Sequence, residues 1–327
     1  SSYGLLIGAS PITVGSTNTF VGVAEANNGQ YAVRIDSDNV TLDTLDLSTV
    51  TGMGMGVEHN SGLSVSVLNT VMSGRYRGYV AWSGSPKDGA VFTGNDASGA
   101  TDYGVEIYAA PGLVFTDNSV AGAGGTGANL RNSAGMVFAR NTFDGATNCL
   151  RLEDTPATVD NTNSFANCGE GNINYWAIFV ASNDVTIDGV DASTLTGEGH
   201  GVWHDRGDTL RVQNSNLSGR YKGIYSDGTV ELGLVLDNND VRLSYVALDI
   251  RGATAPILTN NQLDGSDYGL YLGNTPGAWI DSTNTFVGVA EGNNAWYAVR
   301  IDSDNVTLDT LDLSTSSGLG MGVKHDS

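Results

Sequence analysis

The sequence is short of positive charge. Lys and Arg number 15 against 36 Asp and Glu, so the net charge is −21 over 327 residues. An acidic surface of this size repels phosphate backbones and anionic membranes, and we therefore expect no nucleic-acid partner. No apolar run approaches the ~20 residues that a membrane-spanning helix needs, so we also expect no membrane insertion.

Cysteine is scarce too. The chain contains only Cys149 and Cys168, and neither belongs to a CxxC or Cys/His cluster, which argues against a zinc site. One disulfide between the two cysteines would fit an extracellular protein, and two buried free thiols are the alternative. The sequence leaves both states open.

Proline and helical periodicity are nearly missing. The chain has 6 Pro and 44 Gly, and Asn, Asp, Ser and Thr are abundant. Gly, Asn and Asp tolerate the backbone angles of tight turns, so this composition predicts many short strands joined by turns.

A long internal repeat is present. Residues 17–61 recur at 283–327 with 37 of 45 positions identical, a shift of 266 residues. A weaker copy lies between them, because the segment at 176–194 is similar to the one at 31–49. We predict one continuous structure over 1–327 without separate domains, built from blocks 31–176, 177–297 and 298–327 and belonging to a longer array.

A shorter period of 22–29 residues lies inside these blocks. Each unit opens with a small residue followed by alternating apolar positions, as in AVRI at 32–35, which predicts a short strand with one buried face. A turn and a second apolar stretch follow. When the second stretches are aligned, the same position in several coils is an asparagine, which predicts a side-chain ladder along the stacked coils. The asparagines concerned are Asn69, Asn95, Asn118, Asn141, Asn239 and Asn261.

The repeated coil pattern, a small residue, an alternating apolar strand and a second strand closed by Asn, resembles the right-handed parallel β-helix family of the pectin-lyase-like superfamily. The resemblance covers the whole chain. It implies an all-β solenoid of about 12–13 coils with three short strands each. A fold of this kind says little about activity, because function depends on the sites that a fold carries.

The outward position of the first strand in each coil forms the candidate carbohydrate or assembly face. Aromatic residues at strand spacing bind the apolar faces of sugar rings, and Arg and Asp bind their hydroxyl groups. In the resembled family this sheet commonly holds a polysaccharide. The alternative is that these side chains pack against a loop or a neighbouring molecule. The residues concerned are Arg151, Phe179, Trp203, Tyr225, Asp249, Tyr271 and Arg300.

Two further sites were considered. The acidic turns at Asp36, Asp38, Asp302 and Asp304 suit weak calcium binding, since a hard cation prefers oxygen ligands. A second candidate is a catalytic group with the residue types of a proton-abstracting lyase or epimerase, formed by His204, Asp205, Arg206, Arg220 and Tyr221. The same His motif recurs in each block, however, and fits structural corners better. We assign no catalytic residue and, calcium apart, no cofactor.

The sequence favours a non-enzymatic structural segment of a large extracellular tandem-repeat protein, such as an adhesin, sheath, stalk or filament. Its partners would be flanking repeat copies or a second chain stacked end to end. The alternative is a polysaccharide-active lyase or epimerase, or a carbohydrate-binding β-helix that uses the outward aromatic sheet. Long loops at 21–30, 166–175 and 287–296 are further candidates for function.

Overall fold

The computed structural model of the protein describes residues 3–82, 84–228, 231–286, 288–289, 296–314 and 320–326. Every regular element in these residues is a β-strand, and none of them forms a helix that could cross a membrane. The chain divides into two compact units. Unit 1 comprises Ser1–Ala157 and Thr162–Ser164, and unit 2 comprises Thr158–Asn161 and Phe165–Ser327.

Unit 1 has three sheets of parallel strands. The strands of sheet 1 are Tyr3–Ile7, Tyr31–Asp36, Met55–Ser61, Arg77–Ala81, Val105–Tyr108, Thr126–Arg131 and Asn148–Glu153. Those of sheet 2 are Ile12–Val14, Val40–Asp43, Ser66–Leu68, Val91–Thr93, Val114–Thr116 and Val137–Ala139. Sheet 3 contains Ser119–Ala121 and Thr142–Asp144 and continues through single bridges at Asp46, Val71 and Asp96.

Unit 2 repeats this plan. The strands of its sheet 1 are Trp176–Ala181, His200–Arg206, Lys222–Ser226, Ser244–Arg251, Gly265–Gly273, Tyr297–Asp302 and Met321–His325. Those of its sheet 2 are Val185–Asp188, Arg211–Gln213, Val235–Asp237, Ile257–Thr259, Trp279–Ile280 and Thr307–Leu308. Shorter pairs join Gln262–Leu263 to Thr285–Phe286 and Glu231–Leu232 to Ala253–Thr254, and the strands Ala157–Asp160 and Ser164–Ala166 contain residues of both units.

Strands that pair lie one coil apart in the sequence. In unit 1, for example, Val33 pairs with Val57, which pairs with Tyr79 and then Val105, always in parallel. This is the topology of a parallel β-helix, so the predicted right-handed β-helix fold is confirmed for each unit. Within the described residues, sheet 1 of each unit has seven strands, one per coil, which is close to the predicted total of about 12–13 coils.

The interior of each unit is a set of stacked side chains, because equivalent positions of successive coils lie above one another. In unit 1, Phe92, Phe115 and Phe138 of sheet 2 stack with ring centroids 5.4 and 5.5 Å apart. All three rings are buried, so each coil excludes water from the next.

Buried asparagines form a ladder in each unit. In unit 1, Nδ2 of Asn95 donates to Oδ1 of Asn118 (3.1 Å), Asn118 donates to Asn141 (3.0 Å), and Asn141 donates to Asn163 (3.0 Å). In unit 2, Asn239 donates to Asn261 and Asn261 to Asn284, each over 3.0 Å. The predicted ladder is confirmed for five residues and also includes Asn163 and Asn284, which the sequence comparison missed.

The placement of Asn69 in the ladder was wrong. The strand register pairs Leu68 with Thr93, so Thr70 occupies the level of Asn95, and its N–H donates to Oδ1 of Asn95 (3.0 Å). Asn69 lies one residue earlier in a turn at φ +49° and is exposed. Asn is common both in left-handed turn positions and in ladders, which explains the one-residue error.

The near-identical repeats have the same local structure. Tyr31–Asp36 and Tyr297–Asp302 are both six-residue strands with the same alternation of buried and half-buried residues. Tyr31 stacks on Tyr3 at 5.8 Å, and Tyr297 stacks on Tyr268 at 6.0 Å, each pair being 5° from parallel. The division into larger blocks stays a prediction.

Candidate functional site

The candidate face lies on sheet 1 of unit 2. Phe179, Trp203, Tyr225, Asp249, Tyr271 and Arg300 follow one another in direct register across six neighbouring strands. Arg151 occupies the same strand position in unit 1, beside Asn129, and bonds to Glu153 over 2.9 Å. The outward row read from the sequence is therefore one row of the sheet within unit 2.

The row is not a flat exposed platform. Phe179 is only 6% exposed and Asp249 only 2%, although both lie in the outward row. Trp203 packs against Phe179 at 5.7 Å and against Trp176 at 5.6 Å, in both cases edge to face. At this end of the row the rings form a packed cluster rather than a surface on which a sugar could lie.

His200 completes this aromatic cluster. Its ring lies 5.2 Å from Trp203 and 5.3 Å from Tyr225, and its Nδ1 atom has no hydrogen-bond partner among the residues that the structure describes. Burial, with the nearby charges of Lys222 and Arg220, lowers the pKa of His200 to about 3. His200 is therefore neutral at physiological pH.

Asp249 bridges two cations. Nζ of Lys222 lies 2.7 Å from Oδ2 of Asp249, and Nε of Arg251 lies 2.8 Å from Oδ1. Nζ of Lys222 also lies 3.5 Å from the ring centroid of Tyr225. Burial lowers the pKa of Lys222, and the carboxylate of Asp249 opposes that shift. Asp249 therefore organises the middle of the face and is not accessible to a ligand.

A groove of about 430 Å³ lies beside the row, and we call it the sheet 1 groove. The hydroxyl of Tyr271 donates to Asp302 (2.8 Å), and the hydroxyl of Tyr225 donates to Asp227 (2.9 Å). The guanidinium of Arg251 lies 5.0 Å from the ring centroid of Tyr271. The residues that line the groove are Asp227, Gly228, Arg251, Gly252, Tyr271, Gly273, Asn274 and Asp302.

Four further residues of this site are absent from the predicted outward row, although the sequence contains signals for them: Asp227, Arg251, His200 and Lys222. Asp227 and Arg251 lie two residues after Tyr225 and Asp249, and strand alternation places such residues on the same face. His200 and Lys222 each come directly before the small residue, a glycine, that marks the first strand of a coil. The two residues pair with one another on neighbouring strands.

The proposed calcium turns already have protein donors. Asp36 accepts hydrogen bonds from Arg34 (2.9 Å) and Asn60 (2.7 Å), and Asp38 accepts the N–H of Leu63 (2.8 Å). Asp302 accepts from Tyr271 and from Arg300, while Asp304 is exposed. Within the described ranges no three His, Cys, Asp or Glu side chains are grouped as a metal site. Calcium binding stays a prediction.

His204 and Arg220 do not form an accessible catalytic group. His204 is buried in the β-helix interior, with Nδ1 3.3 Å from the hydroxyl of Ser226. Arg220 is also fully buried, and its guanidinium donates to the main-chain carbonyls of Ala192 and Cys168. Both side chains form hydrogen bonds within the interior, where a substrate cannot reach them.

Buried arginines hold two of the long loops. Arg220 anchors the loop 166–175 through Cys168, and Arg75 anchors the loop 21–30 through the carbonyl of Val23 (2.8 Å). Of the third loop, only residues 288, 289 and 296 are among the described residues.

Both Cys149 and Cys168 are buried and disulfide-bonded.

The comparisons with known proteins agree with this architecture. The family model described as "Right handed beta helix region" matches residues 3–164 and, in a second match, residues 69–189, which together cover more than half of the chain. The chain belongs to this family. No curated protein sequence matches it.

Solved β-helix structures share the fold. The chain is similar to a periplasmic alginate epimerase, AlgG, with 13% identity, a TM-score of 0.51, and coverage of 97% of this chain and 84% of that one. It is also similar to the A-module of the Azotobacter vinelandii mannuronan C-5 epimerase AlgE4, with 14% identity, a TM-score of 0.50, and coverage of 96% and 85%. At these identities the likeness shows the fold.

Proposed function

We propose that this chain is a polysaccharide-binding β-helix and that the sheet 1 groove of unit 2 is its glycan site. The observation that carries the proposal is the lining of the groove. The ring of Tyr271, the guanidinium of Arg251 and the carboxylates of Asp227 and Asp302 converge on one concave surface. An aromatic ring contacts the C–H face of a sugar, and the charged groups hydrogen-bond its hydroxyls.

The fold supports the same proposal. Both similar structures named above are epimerases of a polysaccharide, and a parallel β-helix presents a long sheet along which an extended polymer can lie. We propose binding rather than turnover, because the proposed base His204 and the cation Arg220, two members of the catalytic group suggested by the sequence, lie in the interior. A screen for lyase and epimerase activity on uronic-acid polymers tests this part, and any turnover would contradict it.

The direct test is a binding titration with the Tyr271→Ala variant. We expect the affinity for a bound polysaccharide to fall roughly 10- to 100-fold, as expected when an aromatic contact at the centre of a site is removed. Tyr245→Ala is the matched control, because Tyr245 is 48% exposed, lies on the neighbouring strand and does not line the groove. Equal loss of affinity in both variants would contradict the proposed site.

A structural role in a longer array is the second candidate. It is favoured by the 37 identical positions between residues 17–61 and 283–327 and by the matching local structure of the two copies. Reading the coding sequence on both sides of this chain tests it. Further copies of the 266-residue repeat would support the array, and unrelated flanking domains would contradict it.

We also propose an extracellular location, supported by the disulfide-bonded cysteines, since disulfides persist in oxidising compartments. Fractionation of the source cells with an antibody against the chain tests this. Recovery in the cytosol would contradict it.

A further inference from the structure

The cations around the sheet 1 groove are already paired within the protein. Lys222 and Arg251 both bind Asp249, at 2.7 and 2.8 Å. Arg300 binds Asp302 at 3.0 Å and lies 3.5 Å from Asp326. Each of these three cations is therefore bonded to a carboxylate of the protein, with Lys222 and Arg251 sharing that of Asp249. The lining of the groove itself carries two carboxylates, Asp227 and Asp302, against one cation, Arg251.

Asp227 differs from these carboxylates. Its Oδ2 accepts the hydroxyl of Tyr225 (2.9 Å) and its Oδ1 accepts the indole N–H of Trp203 (3.3 Å), and both donors are neutral. Among the described residues no Lys or Arg forms an ion pair with Asp227. This carboxylate lines the groove without an ion-pair partner, and Lys222, whose charge interacts with it, is bonded to Asp249.

An anionic ligand in the groove would meet this charge at close range. Two like charges about 5 Å apart, partly shielded from water, repel strongly enough to weaken binding by roughly tenfold or more. The chain as a whole carries −21, which adds a weaker, salt-dependent repulsion of any polyanion.

A neutral sugar meets no such penalty. Asp227 and Asp302 are acceptors for sugar hydroxyl groups, and charge-assisted hydrogen bonds of this kind are stronger than neutral ones. Arg251 uses Nε and Nη2 for Asp249, which leaves Nη1 to donate to a ligand hydroxyl. The groove thus combines acceptors, the guanidinium donor of Arg251 and an aromatic ring, with two carboxylates against one cation in its lining.

We infer that the sheet 1 groove selects neutral polysaccharides over polymers of uronic acids. This inference rests on the proposed function, because it names the class of glycan that the same groove binds. A site that binds a polyuronate needs a different charge balance. Either its cations outnumber the nearby carboxylates, or a bound metal ion bridges those carboxylates to the ligand.

The test compares the whole chain with pairs of polymers that differ only at C6 of the sugar, for example mannan against polymannuronate and glucan against polyglucuronate. Affinities are measured by calorimetry at low salt, once with EDTA and once with calcium. We expect the neutral member of a bound pair to bind at least about tenfold more tightly in both solutions. Equal or tighter binding of the uronate, with or without calcium, would overturn the inference.

Asp227→Asn is the diagnostic variant, because Asn keeps the shape and acceptor oxygen of the side chain and removes its charge. We expect its preference for the neutral polymer to shrink roughly tenfold. Asp281→Asn is the control, since it changes the net charge equally at an exposed turn outside the groove. An unchanged preference in Asp227→Asn, or the same change in both variants, would overturn the inference. If no polymer of either class binds the folded chain, the proposed function itself fails.

Discussion

The Asn118→Leu variant tests how much the asparagine ladder contributes to stability. Leu has nearly the same shape as Asn, so the substitution removes the amide without opening a cavity. In the native structure Oδ1 of Asn118 accepts both the main-chain N–H of Asn95 (3.0 Å) and its Nδ2 group (3.1 Å). Nδ2 of Asn118 donates to the carbonyl of Phe92 (3.0 Å) and to Oδ1 of Asn141 (3.0 Å).

The expected loss in the free energy of unfolding follows from the hydrogen-bonding groups that lose their partner in the Asn118→Leu variant. Asn95 is 2% exposed, so its N–H and one Nδ2 hydrogen would be buried without an acceptor in the variant. Each buried donor left unsatisfied costs about 1–3 kcal/mol, while the added apolar surface of Leu returns about 1 kcal/mol. We therefore expect the free energy of unfolding to fall by roughly 1–5 kcal/mol.

Urea unfolding, followed by circular dichroism, measures this loss, and hydrogen exchange of the Asn95 amide reports it locally. Asn69→Gly is the matched control, because Asn69 is exposed, lies at positive φ and donates one side-chain hydrogen bond, to Asp43. We expect this variant to stay within about 1 kcal/mol of the native chain. A loss below about 1 kcal/mol for Asn118→Leu, or an equal loss for Asn69→Gly, would refute the ladder argument.

Two further predictions concern the buried ionisable side chains of Arg220 and His200. Replacing Arg220 by Met removes its bonds to the carbonyls of Ala192 and Cys168, so we expect faster protease cleavage within the loop 166–175, and an unchanged cleavage pattern would contradict the anchoring role. The folded-state pKa of His200, about 3, lies below the usual 6.5, so the neutral side chain contributes its full stability above pH 6.5. This contribution, on the order of 5 kcal/mol, is lost as the pH falls from 6.5 to 3, because the unfolded chain takes up a proton that the folded chain does not. Urea unfolding across this range should show a weaker pH dependence for His200→Phe than for the native chain, and identical profiles would contradict the assignment.

The sequence predicted the fold well because a solenoid repeats its signals. Each coil shows the same small residue, alternating strand and closing Asn, so many weak patterns agree. The error at Asn69 arose where two structural positions that both favour Asn lie side by side. In other coils both positions are filled, as in the pairs Asn238–Asn239 and Asn260–Asn261, and only the strand register distinguishes the turn residue from the ladder residue.

The candidate site was predicted less completely. Strand alternation gave the row from Phe179 to Arg300, but it could not show that Phe179 and Asp249 become buried by neighbours on the same face. That outcome depends on side chains from adjacent coils, such as Lys222, whose Nζ atom lies 2.7 Å from Asp249 on the next strand. The groove also depends on the small residues Gly252 and Gly273, whose lack of side chains leaves room between larger ones. A pattern along one strand contains no information about such contacts between strands.

The central claim is that a polysaccharide binds in the sheet 1 groove, and a crystal structure of the chain with a bound oligosaccharide tests it most directly. We predict sugar density against the ring of Tyr271, with hydroxyl groups within hydrogen-bond distance of Asp227, Asp302 and Arg251. Sugar bound elsewhere on the chain, with this groove empty, would contradict the claim.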